Sequence, residues 1–276
     1  MSSSESSDEE KPRILVLHGF GQTSEIIQKR GRNLFKRLAR DYDLYFPEAK
    51  YDVVLSKIAE CGAVKQQQGK AWFYYDPENP SNFADYLNRE EARWYGVEDS
   101  IYFDVNSPTP KGRYDMHTNN LLNYILINGP FYAVIGFSQG AHLLPLLYQT
   151  IIECNALAEN KCLKCKYNQQ YAEIVQFQKM IFMSGFKTPT PLKIKDKTLE
   201  LDMDLGVHPE MNIQYPNSID IPTLHIYGQK DEFISNAKSQ ALVEICHDPK
   251  VHLHAKGHVL AQDSVTKTKI LQFLQQ

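Results

Sequence analysis

Short apolar runs alternate with stretches of helical spacing along most of the chain. RILVLHGFGQ is a β-rich run that ends in Gly-Phe-Gly, which predicts a strand handing over to a loop at its carboxyl end. In SEIIQKRGRNLFKRLARDY, Ile26, Ile27, Leu34, Phe35 and Leu38 fall at helical spacing, interrupted by Gly31. YDLYFPEA predicts a second strand and MHTNNLLNYILINGP a helix with a Gly-Pro stop. FYAVIGFS predicts the next strand, and AHLLPLLYQTIIECNAL a helix that must accommodate Pro145. Three further strands are expected in FQKMIFMSGF, IPTLHIYGQKDEF and VHLHAKGHV, and DSVTKTKILQFLQ closes as a helix. Alternation of this kind calls for an α/β fold, a mostly parallel sheet with helices on both faces.

Two stretches, 50–115 and 186–220, do not fit the alternation and are expected to be lid or pocket insertions. The first carries the aromatic run Trp72, Phe73, Tyr74, Tyr75, which either lines an apolar substrate pocket or pins a loop to the core. The second scatters Leu192, Ile194, Leu199, Leu201, Met203 and Leu205 among prolines and charges, as a cap would. Residues 1–11 are acidic and Ser-rich and are expected to be a disordered tail, leaving 12–276 as a single domain.

Composition narrows the class. A hydrophobic fraction of 42% and a charged fraction of 23% are those of an ordinary globular chain. A net charge of -3 argues against nucleic acid or an anionic membrane as partner. No apolar run approaches the length of a membrane span, and the acidic N-terminus resembles no secretory signal or basic presequence. Five cysteines, an odd number, point to a reducing compartment, and the expectation is a soluble cytoplasmic protein.

The chemistry concentrates at strand ends. Gly136-Phe137-Ser138-Gln139-Gly140 fits Gly-x-Ser-x-Gly between a predicted strand and a predicted helix. On so sharp a turn, glycines two before and two after the serine remove the Cβ atoms that would clash. The turn also aims the N–H of Gln139 at any oxyanion formed there, beside a helix N-terminus. A serine hydroxyl needs a base, and a nucleophile presented this way takes its acid and then its histidine from later in the chain. Asp231 follows a predicted strand directly and is the chosen acid, with Glu232 nearby and Asp204 and Asp220 farther off. His258 follows Gly257 on a loop and is the chosen base. His252 and His254 alternate within a strand and share one face; His142 and His225 fit packing roles. A second oxyanion donor belongs on the loop after the first strand, at the N–H of Phe20, with His18 shaping that loop.

Taken together, LVLHGFGQ, AWFYYD, NGPFYAVIGFSQGA, IFMSGF, PTLHIYGQKDEF and KGHVL resemble the fungal-type family of serine hydrolases, the FSH1-domain family, related to the ovarian-cancer-associated hydrolase of animals. The resemblance runs from about residue 12 to the C-terminus. It implies an α/β-hydrolase fold, a Ser138-Asp231-His258 triad and oxyanion donors at Phe20 and Gln139. It also implies hydrolysis of carboxylic esters or thioesters, acyl groups on carrier proteins among them, without cofactor or metal, and gives Trp72 and Phe73 to the substrate pocket. The chain departs from the family in reading AKGH where PGGH is usual, and in an expanded segment from Cys154 to Tyr171. The alternatives are a peptidase or C–C hydrolase on the same scaffold, or a non-catalytic protein that binds a ligand or partner in the pocket.

Two other signals carry less. Cys162 and Cys165 form Cys-x-x-Cys near Cys154, but no second pair at ligand spacing completes a metal site. Ser184 ends a strand without the flanking glycines of an elbow and is expected to be a structural turn.

Overall fold

The structure, a computed structural model, describes residues 10–58, 64–73, 121–159, 176–187 and 215–276. The predicted tail through residue 9, Asp204 and the Cys162/Cys165 pair lie outside the described residues, as does most of both predicted insertions. Six strands form one sheet: β1 (Arg13–Leu17), β2 (Asp43–Tyr45), β5 (Ala133–Phe137), β6 (Lys179–Met183), β7 (Thr223–Gly228) and β8 (Lys250–His254). Their order is β2-β1-β5-β6-β7-β8, and every neighbouring pair is parallel. Between them, β3 (Tyr51–Ile58) and β4 (Val64–Ala71) pair antiparallel as a separate two-stranded sheet.

Helices cover both faces. On one lie α1 (Ser24–Arg30), α2 (Arg32–Leu38) and α6 (Ser264–Gln275), which bury Ile27, Leu34, Phe35, Ile270 and Phe273 against Ile14, Val16, Ile135 and Ile181. On the other lie α3 (Leu121–Asn128), α4 (Gln139–Glu159) and α5 (Asn236–Val243), whose Leu122, Leu143, Leu147 and Leu242 meet Leu15, Leu17, Val134 and Phe182. A strand covered on both sides reads as an unbroken apolar run, which is why β1, β5 and β6 stand out in the sequence. The first predicted helix is two: Gly31 ends α1 and begins α2. α4 runs on through Pro145 to Glu159.

The order of strands reverses at β1. The chain leaves β1 for β2 on one side and later returns as β5 on the other. Loops leaving the carboxyl ends of β1 and β5 therefore diverge and open a crevice between them, the usual ligand position in an open parallel sheet. The Gly-Phe-Gly loop and Ser138 both lie at that crevice.

Candidate active site

Ser138 follows β5 directly and has φ 53°, the left-handed region, before the chain turns at once into α4. The two glycines that frame it are required by close approach. A Cβ on Gly136 would sit 2.5 Å from Ala141 Cα, and one on Gly140 would sit 2.6 Å from the carbonyl oxygens of Leu17 and His18. Such distances are incompatible with a side chain, so the strand, the turn and the first strand pack this tightly only around Gly. The Ser138 N–H donates to Met183 O at 2.9 Å, which ties the elbow to β6.

His258 Nε2 lies 2.9 Å from Ser138 Oγ, and its Nδ1 lies 2.7 Å from Asp231 Oδ2. A carboxylate only accepts, so Nδ1 carries the proton and Nε2 is left to accept from the serine hydroxyl. Asp231 is held just as firmly from the other side. Its Oδ1 accepts the N–H groups of Phe233 at 3.0 Å and Ile234 at 2.8 Å, and its side chain is only 2% exposed. The imidazole sits between two rings, Phe137 at 5.4 Å and Phe233 at 5.7 Å. Phe137 is buried, whereas Phe233 is 59% exposed.

The loop after β1 lies against the nucleophile: a Cβ on Gly19 would come within 3.1 Å of Ser138 Cβ. Phe20 is next on this loop, and Gln139, the first residue of α4, follows Ser138 directly. The loop is fixed from within, since Gly19 N–H donates to Gln22 Oε1 at 3.1 Å. His18 is fully buried, with its Nε2 3.2 Å from both the Ala49 nitrogen and Glu48 Oε1 and its Nδ1 2.9 Å from Gly19 O.

Among the described residues, the other histidines take no part in this constellation. His142 is fully buried with its Nδ1 3.0 Å from Phe186 O and 2.8 Å from the Tyr215 hydroxyl; burial pulls its pKa down to about 3. His225 stacks on Phe182 at 4.6 Å and is likewise lowered to about 3 by burial. His252 and His254 do share a face, turned inward, with His252 Nε2 3.2 Å from Thr266 Oγ1 and Val251 and Leu253 left to solvent. Of the alternative acids, Asp220 accepts from Ser218 Oγ and Glu232 is exposed. Ser184 is a buried turn residue with φ 49° whose N–H donates to Ile226 O at 2.7 Å.

Trp72 and Phe73 are 1% and 0% exposed, so neither offers surface to a bound molecule in this conformation. Trp72 packs against the His18 ring at 5.0 Å and Phe73 against His142 at 5.4 Å, so in this conformation both pin their segment to the core. What sequence reasoning missed is how they are held. The Gln139 side chain bonds their backbone, and no spacing or pattern announces a contact between residues 66 or 67 positions apart.

A parallel sheet wound in this order, with a serine on the sharp turn after β5 and an acid and a histidine on the turns after β7 and β8, defines an α/β-hydrolase. The profile of the family described as "Serine hydrolase (FSH1)" matches residues 6–270, and the chain belongs to that family. Similar proteins include "Family of serine hydrolases 3" of Saccharomyces cerevisiae, 27% identical over 270 residues that make up 96% of this chain and 84% of the yeast protein. "Esterase OVCA2" of Xenopus tropicalis is 26% identical over 266 residues, 95% of this chain and 91% of its own. An uncharacterized hydrolase of Schizosaccharomyces pombe is 26% identical over 90% of this chain, which spans 47% of that protein.

Proposed function

We propose that this serine hydrolase cleaves carboxylic esters or thioesters bearing an acyl chain, through an acyl-enzyme on Ser138. The observation that carries the reading is the continuous relay from Ser138 Oγ to His258 Nε2 at 2.9 Å and from His258 Nδ1 to Asp231 Oδ2 at 2.7 Å. Ser138 Oγ attacks the carbonyl carbon while its proton passes to His258 Nε2. Asp231 keeps the imidazole in the useful tautomer and stabilises its cation. The N–H groups of Phe20 and Gln139 receive the oxyanion, each such donor contributing roughly 3 kcal/mol. Collapse expels the alcohol or thiol, which takes the proton back from His258. Water then enters, gives its proton to the same nitrogen, and releases the carboxylic acid and free Ser138.

Apolar surface at the mouth favours an apolar substrate. Phe233, 5.7 Å from the His258 ring, and Val259, next to His258 in the chain, are 59% and 39% exposed, and exposed apolar groups beside a catalytic histidine suit a hydrocarbon better than a charged peptide. The name of the Xenopus relative, an esterase, agrees with this class. No helix among the described residues is long and apolar enough to cross a membrane. As part of the same proposal, the odd number of cysteines favours a reducing cytoplasmic setting.

The test is hydrolysis of p-nitrophenyl esters graded from acetate to palmitate, with acyl thioesters alongside, by wild type and Ser138→Ala. A chain-length optimum that disappears in the variant is the expected result. Equal turnover by Ser138→Ala would remove the serine from the reaction, and cleavage of peptides in preference to esters would replace the proposed substrate class.

A further inference from the structure

The backbone N–H of Gln139 is one of the two proposed oxyanion donors, and its side chain is 0% exposed. Oε1 accepts the N–H of Trp72 at 2.9 Å, and Nε2 donates to Phe73 O at 2.7 Å. These two bonds run in opposite senses to consecutive residues just past β4, so only one orientation of the carboxamide satisfies both. The same short segment grips the other side of the site. Trp72 Nε1 donates to His18 O at 2.8 Å. Lys70 exchanges both backbone bonds with the loop after β1, accepting from Gly21 N–H at 2.8 Å and donating to Gln22 O at 2.9 Å. The approach is close enough that a Cβ on Gly69 would lie 2.3 Å from Gly21 O.

Residues 70–73 therefore bridge two places that are far apart in sequence: the loop that carries Phe20 and the helix start that carries Gln139. We propose that the Gln139 carboxamide is a positioning residue, a two-point clamp that fixes the spacing and direction of the two oxyanion N–H groups through the end of β4. The inference rests on the proposed esterase reading of the same site. Its physical basis is that donors stabilise a developing charge only when they are already aimed at it, without reorganising during the reaction. An apolar side chain of equal size would fill the space at Gln139 but would leave Trp72 N–H and Phe73 O without these partners and the two donors independent of one another.

Gln139→Glu tests this most sharply, because it keeps the shape and the backbone N–H. Protonated, its O–H donates to Phe73 O as the amide did; ionised, it sets a carboxylate against that carbonyl. Burial favours the neutral acid, so the working form persists at mildly acidic pH and is lost as pH rises. The expected result is a turnover ratio, Gln139→Glu over wild type per titrated active site, that falls by about tenfold or more across that ionisation while KM stays within about threefold. Gln139→Leu should be slow at every pH. A ratio that does not depend on pH, or wild-type turnover per active site in Gln139→Leu, overturns the clamp even if the melting temperature drops, since packing alone gives that pattern.

A second readout separates this inference from the reading beneath it. The chain has two tryptophans, so in a Trp94→Phe background Trp72 is the only indole. If wild type turns over no ester or thioester, the esterase reading fails by itself and the clamp is judged by acrylamide quenching of Trp72 and by the rate of fluorophosphonate labelling. Faster quenching with slower labelling in Gln139→Leu sustains it, and no change in either overturns it.

Discussion

Asp231 divides its two oxygens between two tasks: Oδ1 takes the N–H groups of Phe233 and Ile234, and Oδ2 takes the imidazole. That division predicts what Asp231→Asn does. The amide oxygen can still accept from the two N–H groups, so the turn stays in place. The amide nitrogen then faces Nδ1, which must give up its proton and become the acceptor, and Nε2 becomes the protonated nitrogen that no longer serves as base. Turnover should fall by about three to four orders of magnitude with little change in melting temperature. A kinetic assay beside a thermal melt checks both halves, and a near-normal kcat would remove Asp231 from the relay. That Ser138, Asp231 and His258 come within hydrogen-bond distance was legible in the sequence, because each follows a strand end and their chain order fits such a site. The carboxamide of Gln139 was not, because its partners are backbone groups of a distant segment that no local pattern encodes.

At the scale of elements, the strands that position the site are also the ones the hydrophobic pattern displays. β1, β5 and β6 are buried on both faces, and their glycine-bearing ends place the turns. β3 and β4 were read as an irregular insertion, since VKQQQGKA offers neither alternation nor an apolar run. The structure shows why polarity is tolerated there: the hairpin's order comes from backbone pairing, with its partner strand and, through Lys70, with the loop after β1. α5 was missed for a related reason. NAKSQALV has no sustained apolar stripe, and the helix is held by Leu242 and by Ser239 donating to Gly185 O at 2.8 Å. In both elements tertiary contacts override local preference.

Across the whole molecule, two imidazoles buried in the neutral state set part of the response to acid. In the unfolded chain His142 and His225 take up protons near pH 6.5, whereas in the folded protein burial delays this to about 3. The unfolded state then binds more protons, so their contribution to stability is complete above about pH 6.5 and is lost as pH falls toward about 3. His225→Leu, away from Ser138, should flatten the fall in unfolding free energy by up to about 1.4 kcal/mol per pH unit in that window. Denaturant melts at stepped pH check this, and parallel curves for the two proteins would show that His225 does not titrate on unfolding.

The relay itself is tested most directly by covalent labelling. Wild-type protein, incubated with a fluorophosphonate, digested and read by mass spectrometry, should carry the adduct on the peptide containing Ser138. Ser138→Ala should stay unlabelled while melting as wild type does, and His258→Ala should label far more slowly. An adduct on another residue, or undiminished labelling of folded Ser138→Ala, would contradict Ser138 as the nucleophile.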